Sequence, residues 1–344
     1  MTAASAPAPL TAKTQANPGV RWVRITAVLL CVIGAGLLAW AFQRALAVYP
    51  AATVLAAVLQ LPLLIVGWWL LRLARPLIAP ARTWSAAAVI WGATAATGYA
   101  LSANQGLTGL WAKGAGVEFA SNWSAALTAP VNEELLKVAG VVLIALAAPR
   151  AIRGPLDGMI YGALTGLGFQ VMENVTYSLN NIPLTGATNP AEAVVISTVV
   201  RGLTSLGSHW GMTAVAGAGV GYLAARGLRG GAPRAAACLA AAMVMHLLFD
   251  APAPGAAILL KIAINFVVVL VFYLQLRRGY RARARAALAR HVAAGAVPGV
   301  EAPALLARSS RRRRQRLVPP GPVRAEIVSR QLADLAGIER EAAD

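Results

Sequence analysis

Eight stretches of predominantly apolar residues recur along this 344-residue chain, each close to the length that crosses a lipid bilayer. They cover residues 25–43, 51–71, 85–103, 123–148, 156–178, 194–224, 235–251 and 255–276. Hydrophobic residues make up 58% of the chain and charged residues only 13%, which is atypical of a soluble protein. Because a backbone in lipid must satisfy its own hydrogen bonds, such stretches are expected to be helical. The sequence therefore predicts an all-α, polytopic membrane helix bundle with about eight transmembrane helices.

Lysine and arginine in the short loops predict the orientation of this bundle. They are concentrated before the first stretch and after the second, fourth and sixth stretches, while the alternate loops hold few cations. Since cationic loops stay in the cytoplasm, both termini are expected to be cytoplasmic. The net charge of +18 then indicates contact with an anionic inner leaflet and not with nucleic acid. The high arginine and alanine content is typical of a GC-rich bacterial genome, which favours a multi-pass protein of a bacterial cell membrane.

The same pattern divides the chain into three parts. Residues 1–20 form a Pro- and Ala-rich tail that is expected to be disordered, and residues 21–276 form the transmembrane bundle. Residues 277–344 form an Arg-rich cytoplasmic tail. We expect this tail to be mostly disordered and lipid-facing, with a short helix near 323–340.

Four of the apolar stretches carry ionisable or amide side chains, which are costly at membrane depth and therefore usually functional. The clusters are Glu133, Glu134 and Lys137; Glu173 and Asn174; Arg201 and His209; and His246 and Asp250. With alternating helix directions, all four clusters are expected in the outer half of the membrane. Residues three or four apart share a helix face, so each helix is predicted to direct one polar stripe inward. Polar residues that served only the packing of individual helices would have no reason to lie at one depth in the membrane.

Two further features bear on how these helices meet. Gly158, Gly162 and Gly166 form a small-residue ladder of the kind that lets membrane helices approach closely, which would bring Glu173 near its neighbours. Arg201 has two interpretations: it snorkels to the outer interface, or it neutralises one of the adjacent carboxylates of the first cluster.

The four clusters contain the groups that peptide hydrolysis needs. That reaction requires an activated water molecule, a proton donor for the leaving amine and stabilisation of the oxyanion. We assign Glu133 as the general base, with Glu134 or Lys137 orienting it.

A zinc ion would complete one version of this chemistry. His209 and His246 could hold the ion with Glu173 as a third ligand, which leaves one position open for water. Asp250, one helical turn after His246, would serve as a ligand or as a hydrogen-bond partner of a ligand.

A metal-free version uses the same residues. Glu133 and His209 would polarise the water molecule directly, while His246 and Asn174 would stabilise the oxyanion. The residues alone leave both versions open.

The order of these clusters resembles the four motifs of the PrsW-type intramembrane proteases, which are distantly related to the CAAX-processing and bacteriocin-processing membrane proteases. The resemblance is carried by Glu133-Glu134-Leu-Leu-Lys137, by the stretch from Gly158 through Phe169 to Glu173-Asn174, by His209-xxx-Thr213 and by His246-Leu-Leu-Phe-Asp250. It covers about residues 120–276, the expected catalytic core. Phe249 stands where tryptophan is expected in the last motif. The resemblance implies an intramembrane endopeptidase of the metalloprotease type that cuts other membrane proteins.

Two other classes of function are weighed against this one. A proton-coupled membrane transporter could use the same Glu and His cluster as a proton relay, but the sequence carries no detectable inverted repeat. A scaffold or sensor would recruit a partner through the basic tail, in which case the tail and not Glu133 would be essential.

Overall fold

The computed structural model describes residues 18–186, 188–255, 257–299 and 302–342, which form helices joined by short turns and contain no strand. The all-α prediction is confirmed for these residues. The helices are α1 Pro18–Val48, α2 Pro50–Leu59, α3 Leu61–Ala74, α4 Arg82–Trp91, α5 Thr97–Ala115, α6 Val117–Ala147, α7 Pro155–Leu184, α8 Pro190–Thr204, α9 His209–Asp250, α10 Ala257–Ala293, α11 Ala302–Leu305, α12 Arg308–Arg316 and α13 Pro322–Ala342. A π-helical stretch, Gly92–Ala96, joins α4 to α5.

Five helical segments in the described part of the chain are long and apolar enough to cross a membrane. They are Pro18–Val48, Pro50–Ala74, Arg82–Ala115, His209–Asp250 and Ala257–Ala293. Helices α6 and α7 are not among them, although their 31 and 30 residues exceed the length needed to span the hydrocarbon core. The count of eight spans and the cytoplasmic location of both termini stay predictions.

The structure interrupts two of the predicted spans. The second is divided at Gln60, because Pro62 in the first turn of α3 has no backbone N–H to continue the hydrogen-bond ladder of α2. The sixth is divided by a 3-10 turn, Ser205–Gly207, which separates α8 from α9. A side chain at Gly207 would collide with the Ile262 carbonyl, so this turn also lets α10 pass closely.

Helix α9 contains a sharp reversal at Gly227, whose φ of 64° lies in the left-handed region that favours glycine. A side chain at Gly219 would meet Ala235 on the other side of this turn, and one at Gly231 would meet Leu223. The segments before and after Gly227 are therefore two antiparallel arms. They correspond to the C-terminal part of the sixth predicted span and to the seventh.

Helices α7 and α9 pack backbone against backbone along the predicted glycine ladder. Side chains at Gly158, Gly162 and Gly166 would collide with α9 carbonyl oxygens, namely those of Gly217, Thr213 and His209. The ladder is thereby confirmed as a helix contact, and it fixes the first arm of α9 against the helix that carries Glu173.

The described part of the C-terminal tail is helical, so the expectation of a mostly disordered tail is wrong. Helix α10 continues to Ala293, and α13 coincides with the short helix expected near 323–340. Glu339 of α13 is buried, with Oε1 accepting a hydrogen bond from Arg75 at 2.5 Å and Oε2 accepting one from Arg153 at 2.7 Å. Arg75 also donates to Asp157 at the start of α7, at 2.5 Å. This charged network, with a shared apolar cluster, docks α13 on the bundle. The expected disordered tail of residues 1–20 lies almost wholly outside the described residues.

Candidate active site

The structure brings the clusters of α6, α7 and α9 into one buried site. Glu133 on α6 and both histidines of α9 are buried, and one ligand atom of each lies within 4.8 Å of the others. His209 begins the first arm of α9, while His246 lies near the end of the second arm, so the turn at Gly227 is what places both at one level. The centroids of the two imidazole rings are 4.9 Å apart, and the rings are in an edge-to-face arrangement.

His246 is oriented by a carboxylate on one ring nitrogen and leaves the other nitrogen unused. Its Nδ1 lies 3.1 Å from Glu134 Oε1. Its Nε2 is buried and forms no hydrogen bond within the described residues, although it lies 3.3 Å from Asp250 Oδ2 and 3.7 Å from Glu133 Oε2. A buried imidazole nitrogen without a hydrogen bond is a candidate ligand atom.

His209 also has a carboxylate on one ring nitrogen, here Nε2. Its Nε2 lies 2.7 Å from Glu173 Oε2, and its Nδ1 lies 3.7 Å from Glu133 Oε2. The Nδ1 atom also lies 3.1 Å from Lys137 Nζ. Both histidines therefore have a carboxylate on one nitrogen and direct the other nitrogen toward Glu133.

The adjacent carboxylates of α6 have different surroundings. Glu134 is fully buried, ion-paired with Lys137 at 2.6 Å, and accepts a hydrogen bond from Thr213 at 3.0 Å. Glu133 is 3.4 Å from Lys137, and its Oε1 accepts a hydrogen bond from Asn104 on α5 at 2.9 Å. Glu134 is thus occupied by structural contacts, whereas Glu133 Oε2 faces the two imidazoles.

The donor set fits a divalent metal ion such as zinc. Metal-bound histidines commonly donate their second ring nitrogen to a carboxylate, and Glu134 and Glu173 occupy that position here. Nε2 of His246 would supply a ligand atom without breaking a hydrogen bond. Glu173, expected from the sequence as the third ligand, contacts the ring nitrogen of His209 that faces away from Glu133. The group with converging ligand atoms contains Glu133 in its place.

Arg201 points into the protein and forms an ion pair with Glu173. Its Nε donates to Asn174 Oδ1 at 2.9 Å, and its guanidinium lies 4.1 Å from the centre of the Tyr177 ring. Of the two sequence interpretations, the contacts favour neutralisation, but the carboxylate concerned is Glu173 and not one of the α6 pair.

Three amides of this region were not singled out from the sequence. Gln60, at the break between α2 and α3, accepts a hydrogen bond from Asn174 Nδ2 at 2.9 Å, and Gln170 donates to Asn174 Oδ1 at 2.9 Å. The third is Asn104. Burying an amide in an apolar stretch costs less free energy than burying a charge, so amides are less conspicuous in a sequence. Pro62, two residues after Gln60, was a usable signal of a helix break.

Comparison with known proteins places the chain near one family. Residues 80–276 match the family model described as PrsW family intramembrane metalloprotease, which is more than half of the chain. The match begins before residue 120, where the resemblance seen in the sequence began, and so includes α4 and α5. No curated protein and no solved structure gives a significant match.

Proposed function

Since this chain belongs to the PrsW family of intramembrane metalloproteases, we propose that it hydrolyses peptide bonds of membrane-protein substrates with Glu133 as the proton acceptor. The observation that carries this assignment is the position of Glu133 Oε2, which lies 3.7 Å from His209 Nδ1 and 3.7 Å from His246 Nε2. A water molecule near these three atoms would be within reach of a carboxylate base. Glu133 would take its proton and return it to the leaving amine.

A zinc ion would be held by His209 and His246, with Glu133 Oε2 facing the ion from within 4.8 Å of both ligand nitrogens. When bound, the ion would supply positive charge that polarises the scissile carbonyl. Glu134 and Glu173 would then hold the two imidazoles in place. Asp250, at 3.3 Å from His246 Nε2, would be a further carboxylate beside the ion.

The metal-free version has one observation in its favour. Lys137 Nζ lies 3.1 Å from His209 Nδ1, the nitrogen that a metal ion would need. In this version Lys137 and His246 stabilise the oxyanion while Glu133 activates the water molecule. Asn174 is an unsuitable donor for the oxyanion, because its Nδ2 donates to Gln60.

A proton-coupled transporter could use the same buried carboxylates and histidines. The family match disfavours it. The protease proposal also includes the location inferred from the sequence: a bacterial cell membrane, cytoplasmic termini, and an anionic inner leaflet in contact with the basic tail.

The test compares the wild-type protein with Glu133→Gln and His246→Ala. The matched control is Glu118→Gln, which changes an exposed glutamate on the same helix. Each protein is purified in detergent for metal analysis by mass spectrometry. Each is also expressed in cells whose membrane proteins are labelled at new N termini, which detects cleavage without knowledge of the substrate.

A metalloprotease predicts near-stoichiometric zinc in the wild type and in Glu118→Gln, with loss of zinc in His246→Ala. New N termini in or near transmembrane segments should be present in the first two proteins and absent in Glu133→Gln and His246→Ala. Zinc that remains in Glu133→Gln would make Glu133 a base and not a ligand. Cleavage that depends on Glu133 in metal-free protein would select the metal-free version. Cleavage that continues in Glu133→Gln would contradict the proposal.

A further inference from the structure

Asn104 is the one α5 side chain for which the described residues show a hydrogen bond to Glu133. Its Nδ2 donates to Glu133 Oε1 at 2.9 Å. Asn104 is only partly buried, and it lies outside the four polar clusters that identify the site in the sequence. Helix α5 packs along α6, so this contact crosses the interface between the two helices.

A second amide fixes which end of the Asn104 side chain faces Glu133. Asn132 precedes Glu133 on α6, and its Nδ2 donates to Asn104 Oδ1 at 3.0 Å. The carbonyl end of Asn104 is therefore held by Asn132, and the amino end is presented to the carboxylate. The reverse orientation would set two amino groups against each other and an amide oxygen against a carboxylate.

The contact also determines how Glu133 presents its two oxygens. Oε1 is held by Asn104, while Oε2 is left facing Lys137 and the two imidazoles. A carboxylate held on one oxygen loses rotational freedom, so the other oxygen keeps a defined position relative to His209 and His246. Hydrogen bonds to charged groups are among the stronger ones in proteins.

From this geometry we infer that Asn104 is a positioning residue that holds Glu133 for catalysis, with Asn132 setting its orientation. The inference rests on the proposed role of Glu133. Asn104 acts through Glu133 and has no assigned contact with substrate. It is distinct from a simple α5–α6 packing contact, because a packing contact would affect the stability of the bundle and not the turnover of a folded enzyme.

The test measures kcat and KM for Asn104→Ala, for the isosteric Asn104→Asp and for Asn132→Ala. The control is Gln105→Ala, which removes an exposed amide from the neighbouring position of α5. The probe is a peptide containing a cleavage site found for the wild type in the labelling experiment. Metal content and thermal unfolding are measured on the same samples.

We expect kcat to fall about 10- to 100-fold in Asn104→Ala, the range of a lost hydrogen bond to a charged group, with KM within about threefold of wild type. Asn104→Asp should lose at least as much, because it removes the N–H donor and sets a second carboxylate against Glu133. Asn132→Ala should lower kcat less, and adding it to Asn104→Ala should cause no further loss. Gln105→Ala should behave as wild type, and all variants should unfold near the wild-type temperature.

Wild-type kcat in Asn104→Ala, or a loss equal to that in Gln105→Ala, would overturn the inference. A kcat loss that only follows a lowered unfolding temperature would also overturn it, in favour of a packing role. These outcomes differ from failure of the proposed function, in which the wild type itself cleaves no membrane protein.

Discussion

Replacing Gly166 by alanine should displace His209, although the two residues lie on different helices. A Cβ at Gly166 would lie 2.5 Å from the His209 carbonyl oxygen and 2.6 Å from Trp210 Cα. A Cβ atom essentially never lies within 3.0 Å of a heavy atom of another residue, so α7 and α9 must separate by about 0.5 Å at this point. The atoms in contact are backbone, which cannot rotate away as a side chain could.

The size of the effect follows from this displacement. Overpacking of this kind costs about 1–3 kcal/mol of stability. A misplacement of about 1 Å can reduce catalysis about 100-fold, so a shift of about half that size should reduce the cleavage rate roughly 10-fold. In the zinc-dependent version of the proposed mechanism, the loss should be accompanied by weaker zinc binding, because the imidazole moves relative to Glu133 and His246.

The assay compares Gly166→Ala with Gly106→Ala, in which the added Cβ on α5 meets nothing within 4 Å. Cleavage rate, zinc content and unfolding temperature are measured for both. Gly106→Ala should match the wild type or be slightly more stable, since alanine favours a helix over glycine by about 1 kcal/mol. Equal activity in the two variants would refute the view that the glycine ladder sets the position of His209.

Three further predictions concern individual contacts. In the zinc-dependent version of the proposed mechanism, Glu134→Gln should weaken zinc binding about 10- to 100-fold, measured by competition with a chelator, because His246 loses its carboxylate partner. Arg201→Lys should lose roughly as much cleavage activity as Arg201→Ala, about 10-fold, because lysine cannot replace a guanidinium that bonds Glu173 and Asn174 together. Protease protection of α13 should fall as the pH drops below about 4.5, the ordinary pKa of glutamate. Glu339→Gln should lower protection at neutral pH and reduce this pH dependence, of which Glu341 carries a further part through its ion pairs with Arg290 and His291.

The lowered pKa of Glu339 decides the direction in which pH changes the protection of α13. Burial opposes its ionisation, but Arg75 and the hydrogen bond from Arg153 outweigh burial and hold the pKa of Glu339 below 4.5. Its contribution is therefore complete above 4.5 and is lost as the pH falls through the lowered value. Protection that is constant down to pH 3 would contradict this account. The prediction for Glu134 would be contradicted by wild-type zinc affinity in Glu134→Gln. The prediction for Arg201 would be contradicted by full cleavage activity in Arg201→Lys.

The sequence predicted which residues converge at the candidate site better than it predicted the helix boundaries. Glu133, His209 and His246 were found because charged and imidazole groups are costly in an apolar stretch, and this cost does not depend on which helices are neighbours. Glu173 was found for the same reason. Its contact with His209 Nε2, the ring nitrogen that faces away from Glu133, depends on side-chain orientation, which residue spacing does not specify.

The errors have identifiable physical causes. Hydropathy does not register a 3-10 turn, so the break at Ser205–Gly207 was missed inside an otherwise apolar segment. Asn104 is a single amide whose partner lies on another helix. The C-terminal tail appeared disordered because its composition is basic, but part of its order comes from a buried carboxylate, Glu339, that pairs with Arg75 and Arg153 from distant parts of the chain.

The chain joins the two histidines of α9 through the reversal at Gly227, which lies far from the site where their imidazoles meet. Each arm of α9 runs close to twenty residues between the turn and its histidine, which at 1.5 Å per residue is about 27 Å of helix. The first arm is fixed by the backbone contacts of Gly217 and Gly221 with α7, and the contact of Gly219 with Ala235 holds the second arm against the first, so the level of the two imidazoles does not rest on the exposed turn alone. The chain can therefore accept an inserted tag or reporter domain at Gly227 without changing the distance between the two rings.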